Sequence, residues 1–176
     1  TTNYMLTRMS KEGISYADVL ADAQRLGYAE ADPTADVEGH DAAAKIALLS
    51  SMVFNSRVNV KDVYTNGIST ISPVDFERAR AMGYVIKLLA IGRRAASGID
   101  VRVHPAMLPA SHPMASVNGV YNAVYVEGEP IGDVMFFGQG AGEGATASAV
   151  MGNIIDAARC IDEGSPVGFG CTCIYK

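Results

Sequence analysis

The chain has 176 residues, 49% of them hydrophobic and 19% charged, the length and composition of one ordinary domain able to bury its own core. Its formal charge is −5, and no Lys/Arg block or interleaved basic and aromatic stripe is present to follow a phosphate backbone, which argues against nucleic acid as a partner. The longest apolar run, around YVIKLLAIG, contains Lys87 and is far shorter than the roughly 18 residues that span a bilayer, and TTNYMLTRM lacks the regions of a secretory signal, so no membrane partner and a cytoplasmic location are expected.

In chain order, TTNYMLTRMS reads as a helix with Tyr4, Met5 and Met9 on one face, stopped at Lys11-Glu12-Gly13. Ser15 and Asp18 form a capping box, and Val19, Leu20, Ala23 and Leu26 recur at helical spacing up to Gly27. Residues 28–38 form an acidic loop pinned by Asp32-Pro33, because the residue before a proline is steered away from helix. Helix resumes near Gly39 or His40, with Ile46, Leu49 and Val53 expected as its buried stripe and small residues in its first turns.

After Asn55 come short apolar runs with a turn at Asn66-Gly67, then a punctuated helix: Ser72 as N-cap, Pro73 in the first turn, Asp75 closing the box and Gly83 ending it. From Tyr84 the chain reads as strands, namely YVIKLLAIGR, IDVRVHPAML, VNGVYNAVYVEG and PIGDVMFFG. The apolar residues of the third do not alternate, which predicts burial on both faces. A last helix carries Val150, Met151, Ile154 and Ile155 on one side. This order predicts an α+β fold: helices packed on one face of a largely antiparallel (mixed) sheet, with strands mostly after residue 84.

The chemistry-bearing residues cluster in AEADPTADVEGHDAAAK, residues 29–45. Asp41 and Lys45, four apart on a helix with the acid N-terminal, face one way as an ion pair, which by spacing alone reads first as a solvated surface pair and second as a functional one. An EF-hand register fails from Asp32, where the sixth position is Val37, and from Asp36, where it is Asp41, so no metal site is expected. Solvated charge, or carboxylates facing a ligand ammonium, remain, with Glu30 and Asp41 the better placed for the second and Asp32 and Glu38 expected as loop chemistry and solvent. GQGAGEGATASAV opens a helix and satisfies the letter of a dinucleotide fingerprint, but no second strand with a terminal acid follows, so it reads as a glycine turn that lets backbone approach a ligand. The three histidines read as loop or capping residues. Cys160, Cys171 and Cys173 are odd in number, lack zinc-site spacing and read as reduced thiols.

Four ordered blocks, TTNYMLTRM, AQRLGYAEADPTADVEGHDAAAKIALL, HPMASVNGVYNAV and GQGAGEGATASAV, make the sequence resemble the catalytic domain of homoserine dehydrogenase along nearly its whole length. The resemblance implies reversible reduction of L-aspartate 4-semialdehyde to L-homoserine with NADP or NAD as cofactor. Lys45 matches the catalytic lysine that donates the proton. Glu30 and Asp41 match substrate-binding acids, Asp36 is a looser candidate for orienting lysine or substrate, and Gly27 and Gly142 match positions that touch the cofactor. An acidic wall suits the ammonium of a small amino-acid substrate, and a lysine held by a carboxylate suits a general acid.

The resemblance also implies a homodimer, a dinucleotide-binding domain outside this sequence, and a division into a catalytic and dimerisation domain over 1–164 and a linker or tail over 165–176. The chain is then expected to be a piece of a longer protein, with half an active site and little turnover of its own. The competing expectation is a module whose acidic loop binds a cation or ligand, or which only dimerises, without catalysis.

Overall fold

In a computed structural model, the structure describes residues 1–140 and 142–164. Cys171, Cys173 and the expected tail over 165–176 lie outside the described residues.

Three helices build the larger core. Helix α1, Thr2–Glu12, ends where Gly13 takes a left-handed φ of 68° and its N–H returns to Met9 O. Helix α2, Tyr16–Arg25, starts on Ser15, whose hydroxyl accepts from Asp18 N at 3.2 Å. The short α3, Thr34–Val37, lies inside the segment expected as loop, and α4, His40–Val53, follows it. Helix α5, Pro73–Ala81, carries the full capping box between Ser72 and Asp75. Met5, Leu6, Met9, Val19, Ala23, Ile68, Phe76 and Ala79 bury one another among α1, α2 and α5, with Ile86 below. Truncating a fully buried side chain such as Met5 to alanine costs about 2–5 kcal/mol in cores of this kind.

The sheet beneath has the order β1-β3-β2, with β1 Tyr64–Thr65, β2 Tyr84–Ala95 and β3 Gly98–Pro109. β2 and β3 are an antiparallel hairpin in unbroken register from Tyr84↔Pro109 to Ala95↔Gly98, while β1 runs parallel to β3. Helices α1, α4 and α5 all lie against β2. The α+β class and the mixed sheet therefore hold. The remaining strands, β4 Tyr121–Gly128 and β5 Gly132–Gln139, pair with each other in a second, two-stranded sheet rather than extending the first. Helix α6, Glu143–Glu163, closes the described chain.

Two burial expectations are corrected. The buried face of α4 is Ala43, Ala47 and Ser50, with Ile46 only partly covered, whereas Leu49 and Val53 are exposed. Small residues win because α4 crosses β2 where a β-carbon on Gly92 would stand 2.3 Å from Ser50 Oγ, which leaves no room for a larger side chain. β4 is fully buried on neither face, and Val124 is 43% exposed. No residue of α6 is buried, so Val150, Met151, Ile154 and Ile155 form an open apolar side.

Candidate functional site

The acidic segment is shaped by local hydrogen bonding before any charge is considered. Gly27 has a φ of 75°, a left-handed turn that L side chains rarely adopt, and beyond it Tyr28 N and Ala29 N both donate to Ala23 O, at 2.8 and 3.2 Å. Gln24 Nε2 reaches forward to Glu30 O at 3.0 Å and Ala31 O at 3.3 Å, which fixes the path through Glu30 and leaves its carboxylate exposed. Asp32 Oδ1 accepts from Thr34 Oγ1 at 2.6 Å and Thr34 N at 3.1 Å. Those bonds hold its carboxyl below the usual carboxylate range, so Asp32 is loop chemistry, as expected.

Glu38 departs from the solvated role expected of it. It is half-buried, and Gly67 packs against its backbone so tightly that a β-carbon there would stand 2.4 Å from Glu38 Cα. Ile68 N donates to Val37 O at 2.8 Å across the same contact. Gly39 then opens α4 at a φ of 81°, where a β-carbon would press on the Val103 and Thr65 side chains at 3.1 and 3.3 Å. The turn at Asn66-Gly67 and the parallel β1 therefore brace the segment from behind.

On α4, Lys45 Nζ donates to Asp41 Oδ2 at 2.5 Å, with the two side chains 70% and 45% exposed. A pair this exposed adds only about 0–1 kcal/mol to stability. Its value lies elsewhere: the carboxylate orients an ammonium that stays accessible.

Thr1, at the start of α1, lies beside the cluster: Asp36, Asp41 and Lys45 are all within electrostatic reach of its backbone nitrogen. Thr1 Oγ1 donates to Tyr28 O at 2.5 Å, two residues before Glu30. Asp36, Asp41 and Lys45 thus converge on the first turn of α1, and the Gly27–Glu30 turn is tied to the same point. Gly142 stands apart at the N-terminus of α6 with a φ of 114° and open space where a β-carbon would be. Among the described residues, no hydrogen bond or ion pair joins it to the acidic segment.

Sequence reasoning missed Thr1, Asn3 and Lys87. Lys87 had a visible signal, a single lysine inside an apolar strand, but it was read only as an argument against a membrane span. His112 caps a 3₁₀ turn, its Nδ1 accepting from Met114 N at 3.1 Å, which fits the capping role. Among the described residues no group of three or more His, Cys, Asp or Glu side chains is placed to hold a metal ion, and no helix is long and apolar enough to cross a membrane. An open concavity of about 560 Å³ lined by Ser56, Arg57, Arg94 and Ile99 lies at the far end of α4 and shares no residue with the acidic cluster.

An accessible lysine–carboxylate pair on an α+β scaffold, beside further carboxylates, is an arrangement able to hold a cation and to exchange a proton. Residues 1–155 match the family model of homoserine dehydrogenase, and the chain belongs to that family. It is 56% identical over 164 residues to the homoserine dehydrogenase of Corynebacterium glutamicum, an alignment that takes in 90% of this chain and 37% of that protein. The crystal structure of the Thiobacillus denitrificans homoserine dehydrogenase superposes with a TM-score of 0.88 at 45% identity, over 92% of this chain and 38% of that one. A hyperthermophilic archaeal homoserine dehydrogenase solved in complex with NADPH superposes with a TM-score of 0.70 at 28% identity, over 90% of this chain and 44% of that one. The chain therefore spans well under half the length of these relatives.

Proposed function

We propose that the chain is the substrate-binding and catalytic part of an enzyme that reduces L-aspartate 4-semialdehyde to L-homoserine. The observation that supports this reading is the accessible Asp41–Lys45 ion pair on α4, with Asp36 on the preceding α3, in a chain of this family. Glu30 and Asp41 hold the substrate ammonium by charge, with Asp36 as an accessory acid. Lys45, oriented by Asp41, gives its proton to the carbonyl oxygen as that atom becomes the alcohol, and in the reverse direction takes it back.

The cofactor is NADPH or NADH, which when bound supplies the hydride to the carbonyl carbon. The residues present fit its approach in one respect: Gly27 and Gly142 both leave open the space a side chain would fill. A second copy of the chain is part of the proposal, supported by the exposed cross-strand pair Val124 and Phe136, 43% and 64% accessible, on the β4–β5 hairpin. A cytoplasmic location goes with the same reading.

The test is steady-state kinetics of the full-length protein with aspartate 4-semialdehyde and NADPH or NADH. Turnover is expected, with Glu30→Gln raising KM for the semialdehyde about tenfold while KM for the nicotinamide is unchanged. No semialdehyde-dependent oxidation of either nicotinamide would overturn the proposal.

A further inference from the structure

Lys87 lies in β2, 8% exposed, and among the described residues its ammonium has no carboxylate partner. Nζ donates instead to Asn3 Oδ1 at 3.1 Å, to Asn118 Oδ1 at 3.3 Å and to Val117 O. Three acceptors match the three donors of an ammonium, and they come from α1 and from the segment leading into β4. The same two elements are joined again around this point. Asn3 Nδ2 donates to Tyr121 O at 2.9 Å and Gly119 O at 3.2 Å. Gly119 N donates to Thr7 Oγ1 at 3.0 Å, and that hydroxyl donates to Asn3 O at 2.6 Å.

Burying a charge is expensive, and an apolar side chain of similar length would fill the volume of Lys87 at lower cost. What the apolar residue could not do is gather three oxygens from two elements. The gathered turn of α1 is also the one that meets the acidic segment, since Thr1 Oγ1 bonds Tyr28 O and its backbone nitrogen lies near Asp36, Asp41 and Lys45. We propose that Lys87 is a positioning residue: it fixes the first turn of α1 on residues 117–121 and thereby sets where that turn meets the Asp41–Lys45 pair. Its effect on turnover rests on the function proposed above; its effect on local order does not.

The experiment compares Lys87→Met, Lys87→Arg and Lys45→Ala in the full-length protein, by kinetics per folded molecule, thermal unfolding and amide hydrogen exchange. Lys87→Met is expected to speed exchange at residues 1–5 and 117–121 together and to lower kcat about 10- to 100-fold, with Lys87→Arg recovering part of both. Should Lys87→Met not fold, Asn118→Ala, which removes one acceptor from a half-buried position, is expected to act in the same direction by severalfold. Unchanged local exchange and kcat, in Lys87→Met or in its substitute and whatever the Tm, overturn the proposal. If Lys45→Ala also keeps turnover, the reading of Lys45 fails separately, and the exchange data alone decide the role of Lys87.

Discussion

Gly67 stands against Val37 with no space between them: a β-carbon on the glycine would lie 2.3 Å from Val37 O. The neighbouring Ile68 N–H bonds that same carbonyl at 2.8 Å, so the Asn66-Gly67 turn fixes the segment that carries Asp36 and Glu38. Gly67→Ala must displace backbone rather than a flexible side-chain tip. A destabilisation of about 1–3 kcal/mol is expected by urea titration, and in the full-length protein a higher KM for the semialdehyde. An unchanged urea midpoint would show that the brace is not rigid.

Ser50 and Gly92 make a second close contact that isolates a single atom. Ser50 Oγ is buried with no hydrogen-bond partner among the described residues, and it is the nearest atom to a β-carbon built on Gly92, at 2.3 Å. Removing a buried unsatisfied hydroxyl leaves no polar group to desolvate, so Ser50→Ala is expected to be neutral or stabilising. Gly92→Ala is expected to destabilise, and Ser50→Ala to relieve part of that cost when the two are combined. A double-mutant cycle with no coupling between the positions would contradict the packing described.

Lys87 gives a pH dependence of fixed sign. Burial, with Lys11 as a smaller unfavourable charge, lowers its pKa from 10.5 to about 8. Between those values the unfolded chain carries the proton and the folded chain does not, so unfolding takes up a proton and stability rises with pH. The penalty of the buried charge is complete below pH 8. The Tyr16 and Tyr125 phenols, raised above their usual value of 10.0, titrate beyond the lower part of this window. The urea midpoint of the chain is therefore expected to climb from about pH 8 to 10, and the climb to be lost in Lys87→Met. A flat wild-type profile would contradict it.

The exposed apolar faces carry a prediction about assembly. Val124 and Phe136 are cross-strand partners on β4 and β5, open to solvent side by side. If a second copy covers them, Val124→Glu/Phe136→Glu should shift the full-length protein toward monomer in sedimentation velocity. A wild-type distribution for that variant would move the interface elsewhere.

What the sequence disclosed was local, and what it concealed was not. The limits of α2 could be read because Ser15, Asp18 and Gly27 act within one turn of themselves, and the Asp41–Lys45 pair because helical spacing alone puts the two side chains together. The buried face of α4 was misread because hydrophobicity favours Ile46, Leu49 and Val53, whereas a close crossing with Gly92 selects Ala43, Ala47 and Ser50. The division of the strands into two sheets depends on pairings that no strand announces by itself. Lys87 was visible as a residue and not as a site, since its acceptors lie 30 to 84 residues away. The family resemblance named the acids and the lysine, and the geometry added the helix start on which they converge.

The central claim is that Lys45 moves the proton. Replacing it in the full-length protein, as Lys45→Ala, and measuring kcat for semialdehyde reduction tests this most directly. A fall of about 10²- to 10⁴-fold is expected, with KM for the nicotinamide unchanged and partial recovery on adding a small primary amine. Turnover close to wild type in a folded Lys45→Ala protein would contradict the account.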